Sequence, residues 1–171
     1  MTAPALQFRV AGTPSTQGSK RGFAFTPKGG GKTRAVVVDN NPKTLKPWRD
    51  AVRSTATEAW GERPPIYGPV RVLILFALKK PGAAPKWRRI WPIGARSGDV
   101  DKLARAVLDA LTDAGVWRDD SQVVRLEVVK DYPEHVDQLT PGAIVRLWTV
   151  EDRPPTPTTG PIPLQTTPEG S

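Results

Sequence analysis

The stretch GDVDKLARAVLDALTDAGVWRDDSQVV, residues 98–124, decides the fold. From Val100 onward its apolar residues fall at Leu103, Val107, Leu108, Leu111 and Ala114. That three-to-four spacing lines one face of a helix, and Gly115 is a natural stop because glycine readily takes the left-handed conformation that ends helices. The chain then turns through WRDDS into QVVRLEVVKDY, whose alternation predicts a strand. Six aspartates ride on this helix and turn: Asp99, Asp101, Asp109, Asp113, Asp119 and Asp120. They stand out in a chain with 25 Lys+Arg against 17 Asp+Glu and a formal net charge of +8.

Upstream, PVRVLILFALKK is apolar at almost every position from Val70 to Leu78, which predicts a central strand covered on both faces. TLKPWRDAVRSTATEAW sets Leu45, Trp48, Val52, Ala56 and Ala59 at helical spacing, with Thr44 as the expected N-cap. ALQFRVAG alternates Leu6, Phe8 and Val10 against Gln7 and Arg9, a half-buried strand. Between them GTPSTQGSKRGFAFTPKGGGKTR reads as a long loop and AVVVD as a short strand. Downstream, QVVRLEVVKDY and GAIVRLWTV flank PEHVDQLTPG, a pattern that predicts a hairpin with a long turn.

The order strand, long loop, helix, strand, helix, strand, strand gives a single α/β (α+β) domain over residues 1–152, with a mixed β-sheet and two main helices. Residues 153–171, RPPTPTTGPIPLQTTPEGS, contain six prolines and almost no large apolar side chain, so they are expected to form a disordered tail. Without cysteine, and with His135 the single histidine, disulfides, thiolate zinc sites and cysteine nucleophiles are excluded, and a serine–histidine relay is disfavoured. No apolar run approaches the ~20 residues of a membrane span, and the start of the chain lacks the regions of a signal peptide. The expectation is a cytoplasmic protein with no membrane partner.

Two readings of the acids compete. Asp99 and Asp101 share a side in extended backbone, so their carboxylates can converge on a hard divalent cation such as Mg²⁺ or Mn²⁺. An Asp ahead of a helix is also an ordinary cap favoured by the helix dipole. Asp119 and Asp120 form a second acidic pair that turn chemistry does not require. Arg105, one turn beyond Asp101 on the same helical face, can stabilise charge on a phosphate or simply pair with Asp101 or Asp109. The helix from Asp101 to Gly115 spans about 21 Å, and the five residues to Asp120 recover at most ~17 Å. Either an early helix end closes that gap, or two subunits share the site.

The segment DVDKLARAVLDALTDAGVWRDDSQV closely resembles the D-x-D-N-x-x-K, D-A-L, D-D-x-Q signature of the RusA-type Holliday-junction resolvases. The resemblance extends more loosely over residues 5 to 150, and it implies a RusA-like fold. It implies a metal-dependent, structure-specific endodeoxyribonuclease that resolves four-way junctions by paired phosphodiester hydrolysis in DNA recombination and repair. It also implies Mg²⁺ or Mn²⁺ held by Asp99, Asp101 and Asp120, a homodimer, branched DNA as partner, and no small-molecule cofactor. The resemblance further implies a bacterial or phage-infected cell as the setting.

Arg105 stands where the family has lysine and Lys102 where it has asparagine. Arginine keeps the charge but cannot deprotonate, so the alternative is a catalytically impaired branched-DNA-binding protein of the same fold. An aspartyl phosphatase or nucleotide-sugar transferase is disfavoured, because GARSG rather than an apolar strand precedes the D-x-D. The resemblance places DNA contacts at Ser15, Gln17, Lys20, Arg21 and Arg96. Lys102, a departure from the family, adds positive charge beside the metal ligands, which either weakens metal binding or helps to hold the scissile phosphate. Lys79, Lys80, Lys86, Arg88, Arg89 and Arg96 precede Asp99 without an intervening acid. The interleaved Trp87 and Trp91 are expected to tuck onto the core, the alternative being that they stack on an unpaired base.

Overall fold

The computed structural model describes residues 3–18, 21–25, 34–38, 42–85, 87–136 and 140–150, with backbone alone at 21–25, 34–38, 42 and 95. Lys20, Lys86 and the tail from Arg153 lie outside the described residues. Along the chain run β1 (Leu6–Ala11), β2 (Arg21–Phe25), β3 (Arg34–Val38), α1 (Pro42–Trp60), β4 (Val70–Ala77), α2 (Val100–Asp113), β5 (Val123–Asp131) and β6 (Gly142–Thr149). Four strands form one mixed sheet in the order β1-β6-β4-β5, and β2 pairs with β3 as a separate antiparallel ribbon. The expected α+β architecture with two main helices is present.

The helices cover the sheet face that carries Val70, Val72, Ile74 and Phe76. Leu45, Trp48, Val52, Ala56 and Trp60 of α1 and Leu103, Val107, Ala110 and Leu111 of α2 close that core. Each of the larger apolar side chains there contributes about 1.5–3 kcal/mol by leaving water.

Four expectations change. GTPSTQGSKRGFAFTPKGGGKTR is not all loop, since Arg21–Phe25 pairs with Arg34–Val38; glycine and alanine at alternate positions had hidden the strand. Thr44 is the third residue of α1 rather than its cap, because Pro42 takes the first position, where a missing N–H costs nothing. The run Val70–Leu78 is covered fully on one face only, with Leu73 and Leu75 half-buried on the other.

The fourth change is topological. β5 and β6 are not a hairpin: β6 runs antiparallel between β1 and β4, while β5 lies parallel to β4 at the edge of the described sheet. Parallel neighbours need a long crossover, and α2 supplies it between β4 and β5. β6 begins beside the end of β4, where Gly142 pairs with Ala77.

Candidate active site

Both ends of α2 are fixed by glycine. At the C-terminus Gly115 has φ +72, its N–H donates to the Thr112 carbonyl at 3.0 Å, and the Val116 N–H donates to the Leu111 carbonyl at 3.2 Å. This is the paired closure that satisfies the last carbonyls of a helix. Trp117 then donates its indole N–H to Thr112 Oγ1 at 2.7 Å. At the N-terminus Gly98 takes φ 74 and ψ 159, backbone open essentially to glycine alone. A Cβ there would lie 2.5 Å from Thr16 Cγ2. Glycine therefore lets the loop carrying Asp99 close onto the N-terminal segment.

Asp99 occupies the cap position of α2 but makes no capping hydrogen bond with its side chain. Its Oδ2 instead accepts from Lys102 Nζ at 2.6 Å, and this bond holds the exposed Asp99 carboxyl below the ordinary range and raises Lys102. Lys130, from the end of β5, donates to Ser97 Oγ at 3.1 Å and to the Gly98 carbonyl at 2.6 Å. It fastens the Asp99 loop to the sheet and adds positive charge beside the carboxyl. Sequence reasoning had missed Lys130. Its signal was phase: in register with Phe76, it follows Leu126 and Val128, which pair with Val72 and Ile74 on the core face.

The six aspartates separate by role. Asp113 receives Arg49 of α1 at 2.6 Å, and Asp109 receives both Arg49 at 4.0 Å and the side-chain amide of Gln17. Those two tie α1, α2 and the N-terminal segment together. Asp119 caps a short 3-10 turn, Asp120–Gln122, by accepting from the Ser121 N–H at 2.9 Å, and hydrogen bonding by the Ser121 side chain, then by its backbone, lowers the Asp119 pKa. Gln122 answers by accepting from the Asp119 N–H at 3.2 Å. Turn chemistry thus does account for the first member of the acidic pair, contrary to expectation. Asp99, Asp101 and Asp120 remain exposed and outside this scaffolding. Among the described residues Arg105 forms no ion pair, so its pairing with Asp101 or Asp109 is not seen.

The structure brings Asp99 and Asp101 to one end of α2 and leaves Asp120 at the other. Lys130 anchors Gly98 at the C-terminal end of β5, whereas the turn of Asp120 precedes its first residue, Val123. From Val123 to Lys130 the strand covers roughly 23 Å. Among the described residues no three histidine, aspartate or glutamate side chains gather closely enough to hold a metal ion. Asp99 and Asp101 are oxygen donors of the kind a hard cation takes, and Asp120, the third acid of the family pattern, is not gathered with them in one chain.

The remaining candidates are distributed around this end. Arg96 is exposed in the 3-10 turn Ala95–Ser97, directly before Gly98. Ser15 is buried, with its hydroxyl 2.9 Å from Thr44 Oγ1, and the Gln17 N–H donates to the Lys102 carbonyl at 2.9 Å. In this conformation both are engaged within the chain. Arg21 begins β2, and its side chain is outside the description. Trp87 and Trp91 do not tuck onto the core: they are 82% and 54% exposed. No helix among the described residues is long and apolar enough to cross a membrane.

The sequence profile of the family described as Endodeoxyribonuclease RusA matches residues 24–147. The chain belongs to the RusA endodeoxyribonuclease family. A segment of 35 residues, 20% of the chain, is 57% identical to the crossover junction endodeoxyribonuclease RusA of Escherichia coli. The same identity holds over 35 residues with the relatives from Shigella sonnei and Enterobacteria phage 82. In each case the matched segment spans 29% of the relative's length.

Proposed function

We propose that the protein is a Mg²⁺- or Mn²⁺-dependent endodeoxyribonuclease that cuts four-way DNA junctions as a C₂ homodimer. The carrying observation is the division of the acids by partner: Asp109 and Asp113 tie the helices and Asp119 caps a turn, and the three exposed acids without such a tie are those of the family's metal-binding pattern. Family membership and the activity named for the matched relatives support the same reading.

The third carboxylate comes from the partner in this reading. β5 is the edge strand of the described sheet, and the partly exposed Val124 and Leu126 on one face and Val129 on the other flank its open row of backbone groups, an edge that invites pairing. Antiparallel pairing of β5 with its own copy about a two-fold axis carries Asp120 of each subunit toward Asp99 and Asp101 of the other. A divalent cation held by the three would lower the pKa of a bound water and stabilise the leaving oxygen. Arg105, one turn along α2 from Asp101, faces the phosphate with a fixed charge, and Lys102 and Lys130 add to the positive field there. Exposed Arg96 contributes to phosphate binding, which makes affinity fall with salt.

Nicking of a synthetic four-way junction and a matched linear duplex by wild type and by Asp101→Asn tests this. Junction cutting that requires metal and is lost in the variant, with binding retained, is expected; equal cutting by the variant would sink the assignment. One observation favours a second reading. Lys102 already neutralises Asp99, so the chain could bind branched DNA with weakened metal affinity; wild-type binding without cleavage in either metal identifies that case.

A further inference from the structure

A second exposed apolar group lies away from the β5 edge, in the loop between β4 and α2. Trp87, Trp91 and Ile93 are 82%, 54% and 87% exposed within seven residues. Single apolar side chains on a surface are ordinary, whereas a cluster of large ones marks a contact.

The cluster is held in place. Pro92 is buried, and across it the Ile93 N–H donates to the Trp91 carbonyl at 2.9 Å, so a tight turn turns Trp91 and Ile93 outward from an anchored proline. Behind Trp91 the Arg89 guanidinium sits 3.9 Å from the ring centroid. Arg89 is in turn ion-paired to Asp131, whose side chain is almost wholly buried at the end of β5. The neighbouring residue, Lys130, holds the Gly98 carbonyl. Consecutive residues of β5 thus fix the tryptophan stack and the loop of Asp99 to the same end of the sheet.

Resting on the function proposed above, we propose that Trp91, backed by Ile93, is a wedge on which an unpaired base at the branch point of a DNA junction stacks. Three features fit that occupant. An indole already stacked on a tethered guanidinium loses little further freedom when a base arrives. The loop from Lys79 to Gly98 contains no acidic residue and exposes Arg88 and Arg96, which suits a polyanion. A second copy of the chain would bring the same basic loop, in a chain of net charge +8, against itself. The fully paired linear duplex keeps its bases stacked and offers the wedge nothing.

The test uses the full chain with three ligands: an intact four-way junction, a matched duplex, and a junction abasic at the crossover positions. Base–aromatic stacking of the usual strength predicts that Trp91→Ala weakens junction binding by about 5- to 150-fold. Duplex binding, made by phosphate contacts, should stay within about twofold. On the abasic junction Trp91→Ala should cost nothing further, and Trp91→Phe should recover most of the affinity on the intact one. Should Trp91→Ala fail to fold by circular dichroism, Trp91→Leu, apolar but without a π face, takes its place with the same expectation.

Unchanged junction binding, equal losses on junction and duplex, or a loss that persists on the abasic junction would each overturn the wedge. So would a change in oligomeric mass, which would make Trp91 a contact between chains. Wild-type protein with no preference for the junction would fail the function itself. A wild-type preference that Trp91→Ala keeps intact would fail the wedge alone.

Discussion

Asp101→Asn and Asp120→Asn are each expected to be inactive alone, yet a mixture of the two should cut. The reason is distance. α2 has 14 residues, about 21 Å of helix, and β5 returns along it, so Asp120 in the same chain lies far from Asp99 and Asp101. Oxygen ligands of one Mg²⁺ sit ~2.1 Å from the ion and so no more than about 4 Å apart. No side-chain rotation closes a gap of that size. In a two-fold dimer each site draws Asp99 and Asp101 from one subunit and Asp120 from the other.

A mixed dimer then has one site with both substitutions and one with neither. Random reassortment of equal amounts makes half the dimers mixed, so about a quarter of wild-type sites are restored in a symmetric C₂ assembly. The assay is nicking of a junction labelled on each strand, after co-refolding or subunit exchange, with mixed dimers verified by native mass spectrometry. Single nicks should return to about a quarter of the wild-type level, while paired nicks stay near background, because no mixed dimer has two sites. Verified mixed dimers with no nicking would refute the shared site, since a site contained in one chain gives two dead subunits.

Leu126→Asp puts a charge on the exposed β5 edge and should yield a folded monomer without cleavage, read by analytical ultracentrifugation; a cutting monomer would contradict the shared site. Lys102→Asn releases Asp99 from its 2.6 Å ion pair and should lower the Mg²⁺ concentration for half-maximal cutting by about two- to fivefold at low salt, the range exposed pairs support, with less gain at high salt. Gly98→Ala should cost about 1–3 kcal/mol in chemical denaturation, because ψ 159 at positive φ excludes a side chain, and should reduce cutting by displacing Asp99. Asp119, lowered by its Ser121 hydrogen bonds, stabilises its turn fully above the unfolded carboxylate value near ~3.9 and loses that contribution as pH falls through the lower folded value. Asp119→Asn should flatten this part of the acid-unfolding curve.

Helix α2 and its stops were legible because period and glycine agreed: Leu103, Val107 and Leu111 share a buried face, and Gly115 ends the helix. Strand β4 was legible from its apolar run, but the run could not say that one of its faces is only half covered. The partner of β5 was not legible. Alternation fixes which side chains point inward, not which strand lies alongside, and adjacency in sequence favoured the hairpin that the crossover through α2 overrides. In the site, spacing picked out the pairs Asp99/Asp101 and Asp119/Asp120, the family resemblance singled out Asp99, Asp101 and Asp120, and neither could say what Asp109, Asp113 and Asp119 do in the fold. That sorting depends on Arg49, Gln17 and Ser121, which reach the acids only in the folded chain.

The placement of the acids has a consequence for how cutting would be controlled. A site split between subunits does not exist in the monomer, so a basic chain bound to duplex DNA through its phosphates cannot hydrolyse it. Dimerisation along the β5 edge, as proposed, would create two sites at once and relate them by the two-fold axis, which would match the approximate symmetry of a four-way junction. The same strand ends in Lys130 and Asp131, which hold the Asp99 loop and, through Arg89, the Trp91 stack. The proposed base engagement, carboxylate site and subunit pairing would therefore converge on β5. A disturbance of that strand should impair metal binding and junction preference together, whereas loss of Asp101 should impair cutting alone.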